Sequence, residues 1–307
     1  IVTGGAGFIG SHLVERLIKD KHEVFIIDDL SSGFKSNLPK ELIDGMLISR
    51  IQDVSKDQII SSDGIFHLAA QASVPISIND FFNSSNNNIL GTLKVFDWAR
   101  SEKIPIVYAS SSAVYGNLPL GDDLKEDYDI LSPYAQDKLT MEQYALLLFK
   151  IYKVKSLGLR FFNVYGPKQD PKNPYSGVIS IFIEKILCGE PVTINGGYQV
   201  RDFIYINDIV DVLIKSMNLL HNKNICNYCN VGTGVTVSID ELLLSLKNIT
   251  KANPKIIRKD LPEGDPELSS GTYEKINSLL NIDINSFCDL ESGLEKTFNY
   301  FNKEKLE

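Results

Sequence analysis

Two residues four apart, Tyr134 and Lys138, have the types and the spacing for acid–base chemistry. On a helix the phenol and the ammonium would lie one turn apart on one face. The helix is predicted around them: Ser132 fits an N-cap, Pro133 fits the first helical position, and Leu139, Tyr144, Ala145 and Leu148 follow at helical spacing. Three hydroxyls, Ser110, Ser111 and Ser112, leave the end of the apolar run 105–109. A phenol titrates near pH 10, so a base at neutral pH needs its pKa to fall by about 3, roughly 4 kcal/mol in favour of the phenolate. Lys138 supplies one cation for this, and the first-turn position adds a little more. Tyr134 could then take a proton from a substrate hydroxyl held by Ser111. By itself a Y-x-x-x-K pair is more often a solvated pair on a helix surface, so its meaning depends on its surroundings.

Those surroundings begin at the first residue. Ile1 and Val2 end a buried strand, and Thr3-Gly4-Gly5-Ala6-Gly7-Phe8-Ile9-Gly10 spaces glycines ahead of an apolar helix carrying Leu13, Val14, Leu17 and Ile18. Gly4 permits a tight turn, Gly7 a close approach of backbone to a pyrophosphate, and Gly10 close packing of helix on strand. The pyrophosphate would sit on the free N–H groups of the first turn, at Phe8, Ile9 and Gly10, and at the positive end of the helix dipole. A second buried strand, 23–27, leads to Asp28, where a carboxylate accepts hydrogen bonds from an adenosine ribose. Asp28 and Asp29, with no arginine after them, would repel a 2′-phosphate, so NAD is expected rather than NADP. The bland alternative is a glycine-rich turn in an ordinary α/β protein, and the strand, helix and acid in sequence weigh against it. An oxidised nicotinamide would also be the second cation that Tyr134 needs.

Further strands are predicted at 45–53, 64–70, 105–109 and 225–231, and helices at 86–99 and from Ser132 onward. Strand alternating with helix implies an α/β fold with a doubly wound parallel sheet, whose ligands bind at the carboxyl ends of the strands. Asp53 and Val54 fall just past a strand end, where they could meet an adenine edge. The small-residue run Leu68-Ala69-Ala70-Gln71-Ala72-Ser73 suits a loop lying against a cofactor. Residues 161–175 keep neither period and are predicted to form a long ordered loop, a kind of segment that is usually functional. Helices are expected at 177–187, 207–220 and 238–246, a short strand at 192–195, and a charged segment through Asp265. The domain division expected is 1–162, with 200–221 returning to it, for the dinucleotide, and 163–199 with 222–307 mainly for the substrate. The second, smaller domain is then discontinuous.

With 307 residues, 43% of them apolar, the chain can bury a large core. A net charge of −8 disfavours nucleic acid, and an anionic small molecule would need its own local cations. The apolar runs are strand-sized and no charged, apolar, small-residue leader precedes the first strand, so neither a membrane span nor a signal peptide is expected. The sequence opens inside a strand, as though a few residues precede it. Four cysteines form no disulfide framework at this length and suit a reducing cytoplasm. Cys226 and Cys229 would point to opposite faces of a strand and make a poor zinc site, so no metal is expected.

The motifs TGGAGFIGSHL from residue 3, DDLSSG from 28, HLAA from 67, NNILGT from 87, SSSAVYG from 110, YAQDK from 134, RFFNVYGP from 160 and RDFIYINDIV from 201 occur in this order. Over nearly its whole length the chain resembles the extended short-chain dehydrogenase/reductase superfamily, and within it the NAD-dependent nucleotide-sugar epimerases and dehydratases. The resemblance implies a Rossmann-type fold with NAD bound at the glycine turn, at Asp28, Asp29, Asp53 and Val54, at Leu68, Ala69, Ala70 and Asn88, and beside Tyr134 and Lys138. It places Ser111, Tyr134 and Lys138 in catalysis. For a UDP-sugar it implies Ser73, Ser111, Ser112, Tyr134 and Val178, with Asn163 and Arg201 on the diphosphate. A planar guanidinium suits that role because it bonds two oxygens at once, whereas the bland reading of Arg201 is a surface ion pair with a neighbour such as Asp202. Relatives carry an arginine two residues before the pair that matches Gly264-Asp265; here Pro262 stands there, and Arg258 and Lys259 are the nearby substitutes. Relatives also dimerise through a four-helix bundle, for which 86–99 and 132–152 are the candidates.

The resemblance implies first a UDP-hexose 4-epimerase working through a transient 4-keto sugar. A 4,6-dehydratase shares the oxidation but needs a further acid and base, and Ala113 stands where those enzymes resemble T-D-E-V-Y-G. A silent NAD-binding sensor is the third reading, against which the tyrosine, lysine and serine all stand. In epimerases the residue four after the Gly-Asp aspartate lines the wall at the sugar's second carbon; here that is Ser269, small enough for an N-acetyl group.

Overall fold

Val2 and Thr3, both fully buried, form β1, and the chain turns through Gly4 into α1 (Phe8–Lys19), which buries Gly10, Ser11, Leu13, Val14 and Leu17. The computed structural model describes residues 1–173, 177–261 and 265–306. Two compact units divide the chain: Ile1–Val114, Ile130–Arg160 and Ile209–Cys229 make the first, and Tyr115–Asp129, Phe161–Asp208 and Asn230–Glu307 the second. The later strands are β2 (Ile26–Asp28), β3 (Leu47–Ile48), β4 (Ile65–His67), β5 (Ile106–Ser111), β6 (Ser156–Phe161), β7 (Asn163–Tyr165), β8 (Val192–Asn195), β9 (Val200–Tyr205), β10 (Cys226–Val231), β11 (Thr236–Ser238), β12 (Ile256–Lys259) and β13 (Leu268–Ser269).

The large sheet runs β10-β6-β5-β4-β1-β2-β3. β1 is parallel to β2 and β4, β2 to β3, and β4 to β5. The chain therefore winds from β1 to β3, crosses back, and continues from β4, which is the doubly wound arrangement expected. Its order reverses between β1 and β4, and in such sheets ligands bind at that switch point. Beneath it Ile27, Val54, Ile65, Phe96, Trp98 and Ile106 share one core. Each aliphatic side chain so buried contributes about 1.5–3 kcal/mol.

Several elements differ from the sequence-based expectation. Only Leu47–Ile48 of 45–53 is strand, because Ile51–Asp53 closes into a 3-10 turn that turns Ile51 and then Val54 inward. The helix expected over 86–99 starts as a π turn, Asn86–Leu90, before the regular helix Gly91–Glu102, and the Thr92 hydroxyl takes the Asn88 carbonyl at 2.5 Å. Within 161–175, Asn163–Tyr165 is β7 rather than loop, paired in parallel with β9; Pro174 and Tyr175 lie outside the described residues.

β9 also departs from the predicted returning segment. It is the centre of the second unit's sheet, flanked by β7, antiparallel β11 and parallel β13, so the stretch that belongs with the first unit is Ile209–Cys229. Residues 115–129 likewise belong to the second unit, where Gly121 bridges Gly271. β8 and β12 form a separate parallel pair. The helix Ile239–Thr250 starts from a capping box between Ser238 and Glu241, in which each side chain satisfies the other's backbone N–H. Cys226 is half-buried and Cys229 buried on β10. Among the described residues no helix is long and apolar enough to cross a membrane.

Candidate active site

At the switch point Gly4 has φ +71°, and a Cβ there would stand 2.6 Å from the Ala69 backbone nitrogen, so the glycine turn and the turn after β4 meet without a side chain between them. A Cβ on Gly10 would stand 2.0 Å from the Gly4 carbonyl oxygen. No side chain caps α1 at Gly7, which leaves the first-turn N–H groups of Phe8, Ile9 and Gly10 for an anion. Asp28, buried at the end of β2, accepts the Ala6 N–H at 2.9 Å and the Leu30 N–H at 2.8 Å, one on each oxygen. The Gly7 backbone N–H acts on it too, which still leaves the carboxylate an acceptor site for a ribose hydroxyl. Burial raises the Asp28 pKa, against the lowering by the Leu30, Ala6 and Gly7 N–H groups. Asp29 is exposed and accepts from Ser31. This donor and acceptor set fits a dinucleotide. Val54 is fully buried in the core, so its side chain is withdrawn from any adenine, while Asp53 is exposed.

The turn after β4 is held by Asn88. Its amide accepts the Gln71 N–H at 2.9 Å and donates to the Gln71 carbonyl and to Asp137, each at 3.1 Å. With both amide protons used and 1% of the residue exposed, Asn88 holds residues 68–71 through their backbone. Leu68, Ala69 and Ala70 are half-buried, and Ser73 caps the short helix Val74–Asn79 by accepting the Ile76 N–H.

Ser132 caps the helix Pro133–Tyr152, as its sequence predicts, and the helix turns Tyr134, Asp137, Lys138 and Glu142 inward. Ser111 is the polar neighbour that acts to lower the Tyr134 pKa, and its oxygen accepts the Ala113 N–H at 3.1 Å. Lys138 Nζ donates to the Ala109 carbonyl at 2.8 Å and lies 5.6 Å from the Tyr134 ring centroid. Here burial adds to the cost that the cations must meet. Burial raises the Tyr134 pKa, and Ser111 only partly offsets it. Burial also lowers Lys138 to about 8, opposed by Asp137 and Glu142. A further cation beside the phenol is therefore needed for a neutral-pH base. Ser112 opens the 3-10 turn Ser112–Tyr115 and is half-buried.

In the second unit Arg201 pairs with Asp265 at 2.6 Å and with the Val200 carbonyl, not with Asp202. Asp202 is fully buried and accepts from Tyr273, Thr233 and Gly234. Ser269 stands opposite Arg201 in the β13–β9 register, so it lies on a strand rather than in a surface loop. Asn163 donates to the Asp202 carbonyl at 3.1 Å. Val178 opens the helix Val178–Leu187. Arg258 is exposed and paired with Asp240. Pro262 and Gly264 lie outside the described residues.

Sequence reasoning missed the charged network behind Lys138. Arg160, fully buried on β6, grips Glu142 through two nitrogens at 2.9 and 2.6 Å, and Glu142 also accepts from Ser110 at 2.5 Å. The available signal was an acid four residues after Lys138 on the inward face and an arginine inside an apolar strand.

A sequence profile described as the NAD dependent epimerase/dehydratase family matches residues 1–232. The chain is 37% identical over 253 residues to a UDP-glucose 4-epimerase of Mycolicibacterium smegmatis, covering 79% of each protein. It is 30% identical over 311 residues to UDP-glucuronic acid decarboxylase 1 of Xenopus tropicalis, covering 99% of this chain and 72% of that one. Among solved structures, the UDP-N-acetylglucosamine 4-epimerase from Methanobrevibacter ruminantium M1, in complex with UDP-N-acetylmuramic acid, superimposes with a TM-score of 0.89 at 34% identity, covering 99% of this chain and 97% of that one. With its glycine turn, buried Asp28 and Tyr134–Lys138 helix, the chain belongs to the NAD-dependent epimerase/dehydratase family.

Proposed function

We propose that the protein is a UDP-hexose 4-epimerase that interconverts UDP-N-acetylglucosamine with UDP-N-acetylgalactosamine, UDP-glucose with UDP-galactose, or both pairs. The observation that carries this reading is the placing of Ser111 and buried Lys138 beside the Tyr134 phenol, with the inert Ala113 two residues after Ser111. Bound NAD supplies a hydride acceptor that returns the hydride within the same turnover. Ser111 holds the oxygen on carbon 4 of the sugar, and Tyr134 removes its proton and later restores it. Lys138 lowers the cost of the phenolate. Hydride and proton both leave and both return, so turnover consumes no NAD. Within the second unit, Arg201 and Asn163 are assigned to the diphosphate, as the resemblance implies.

The 4,6-dehydratase reading must find a further acid and base, which Ala113 does not provide. The decarboxylase relative shows that family membership alone does not choose the reaction. The test is to incubate the protein with each nucleotide sugar without added NAD and follow it by NMR. Equilibration of either pair supports the proposal; a stable 4-keto-6-deoxy product, or release of CO2 from UDP-glucuronate without any epimerisation, replaces it. Tyr134→Phe should lower turnover by about 10²–10⁴ while NAD still binds. Full turnover in that variant removes Tyr134 from the chemistry. The same reading expects a cytoplasmic homodimer.

A further inference from the structure

His67 ends β4 directly beneath the switch point and is 2% exposed. Its two ring nitrogens meet two buried threonines: Nδ1 is 2.8 Å from Thr3 Oγ1 and Nε2 is 3.0 Å from Thr92 Oγ1. The direction of every bond in this chain follows from what each group can give. A carbonyl has no proton, so the single proton of Thr92 goes to the Asn88 carbonyl. Thr92 Oγ1 can then only accept from His67, which puts the ring proton on Nε2. Burial and the nearby Lys138 charge lower the ring's pKa to about 3, so Nδ1 is bare and accepts the Thr3 proton. Thr3 Oγ1, its proton spent, accepts the Ala69 N–H at 3.3 Å.

The result is one directional chain from the Ala69 N–H through Thr3, His67 and Thr92 to the Asn88 carbonyl. From there the Asn88 side chain returns to both backbone groups of Gln71 and to Asp137, next to Lys138. Ala69 is also the residue whose nitrogen packs against Gly4. An apolar side chain in place of His67 would leave the buried Thr3 proton without an acceptor, remove the bond that Thr92 Oγ1 accepts, and uncouple the two turns.

We propose that His67 is a positioning residue for the cofactor: through Thr3 and Thr92 it locks residues 68–71 and the π turn Asn86–Leu90 into the arrangement that NAD binds. The inference rests on the reading that residues 68–70 lie against NAD.

The test is NAD affinity of the cofactor-free protein, measured by titration calorimetry for wild type, His67→Leu, His67→Asn, Thr92→Val and Asp28→Ala, beside the histidine ¹⁵N NMR spectrum of the wild type. His67→Leu is expected to bind NAD about tenfold more weakly, because buried groups are left unsatisfied. His67→Asn should recover part of that loss, since its side-chain oxygen can accept from Thr3 where Nδ1 does. Thr92→Val keeps the imidazole and the side-chain volume, and should weaken NAD even if His67→Leu does not fold. The His67 ring should show the Nε2–H tautomer. Wild-type affinity in both His67→Leu and Thr92→Val, or an Nδ1–H tautomer, overturns the proposal. If Asp28→Ala alone weakens binding, only this inference fails. If no variant weakens it, the cofactor reading of these turns fails with it.

Discussion

Lys138 is a cation held where a cation is costly. Its pKa falls from 10.5 to about 8 because burial outweighs the attraction of Asp137 and Glu142. Between those two values the unfolded chain binds more protons than the folded one, so stability rises with pH across that window, and the full cost is present below about 8. The cost is up to about 3 kcal/mol. Cofactor-free Lys138→Met should therefore gain stability over wild type at neutral pH, and urea titrations should show the gain shrinking as pH approaches 10.5; a pH-independent difference contradicts this account. Ser269 is the second residue whose identity sets a testable property. It is half-buried and opposite Arg201 in the β13–β9 register, the partner that the resemblance assigns to the diphosphate. Ser269→Tyr should cut turnover of the N-acetylated pair about tenfold and spare the unacetylated pair, since one crowding contact is worth about 1–3 kcal/mol. An equal effect on both pairs removes Ser269 from the pocket wall.

The helix Pro133–Tyr152 positions Tyr134 and Lys138, and what fixes its rotation is charged. Glu142, one turn beyond Lys138, is held by Arg160 of β6 and by Ser110 of β5 inside the first unit. Glu142→Leu would leave the Arg160 guanidinium without its carboxylate in the interior, at a cost of about 3–5 kcal/mol. Glu142→Leu combined with Arg160→Met should recover most of that loss, and denaturant midpoints for the two single variants and the double give the coupling directly. Additive single effects contradict a coupled pair. Elements whose ends carry a chemical signal were legible in the sequence: Ser132 and Pro133 start this helix, and Ser238 with Glu241 starts another. β7 was not, because three residues carry no period. The π turn was not, because a change of helical pitch over five residues leaves no mark in residue types. The raised Tyr134 was missed for the same kind of reason: residue types disclose the cation beside a phenol but not the depth at which both are buried.

At the scale of the whole molecule, the expected homodimer requires an apolar surface that a second copy can cover. On the helix Pro133–Tyr152 the outward Tyr144, Leu147 and Ile151 stand at i, i+3 and i+7 and are 37%, 45% and 56% exposed, so they form one apolar stripe on a helix whose other face is buried. Leu90, in the π turn that leads into Gly91–Glu102, is 52% exposed. The resemblance assigns these two helices to a four-helix bundle between copies. Each copy carries −8, so long-range charge opposes pairing and apolar burial must drive it. Salt screens the first effect, with a Debye length of about 10 Å at 0.1 M, and leaves the second in place. Light scattering should therefore find a dimer that is retained or tightened as salt is raised. Leu147→Glu with Ile151→Glu should yield a monomer that still binds NAD, because these side chains point away from Tyr134 and Lys138 on the same helix. A wild-type monomer at every concentration, or a dimer that dissociates on adding salt, removes this stripe as the interface.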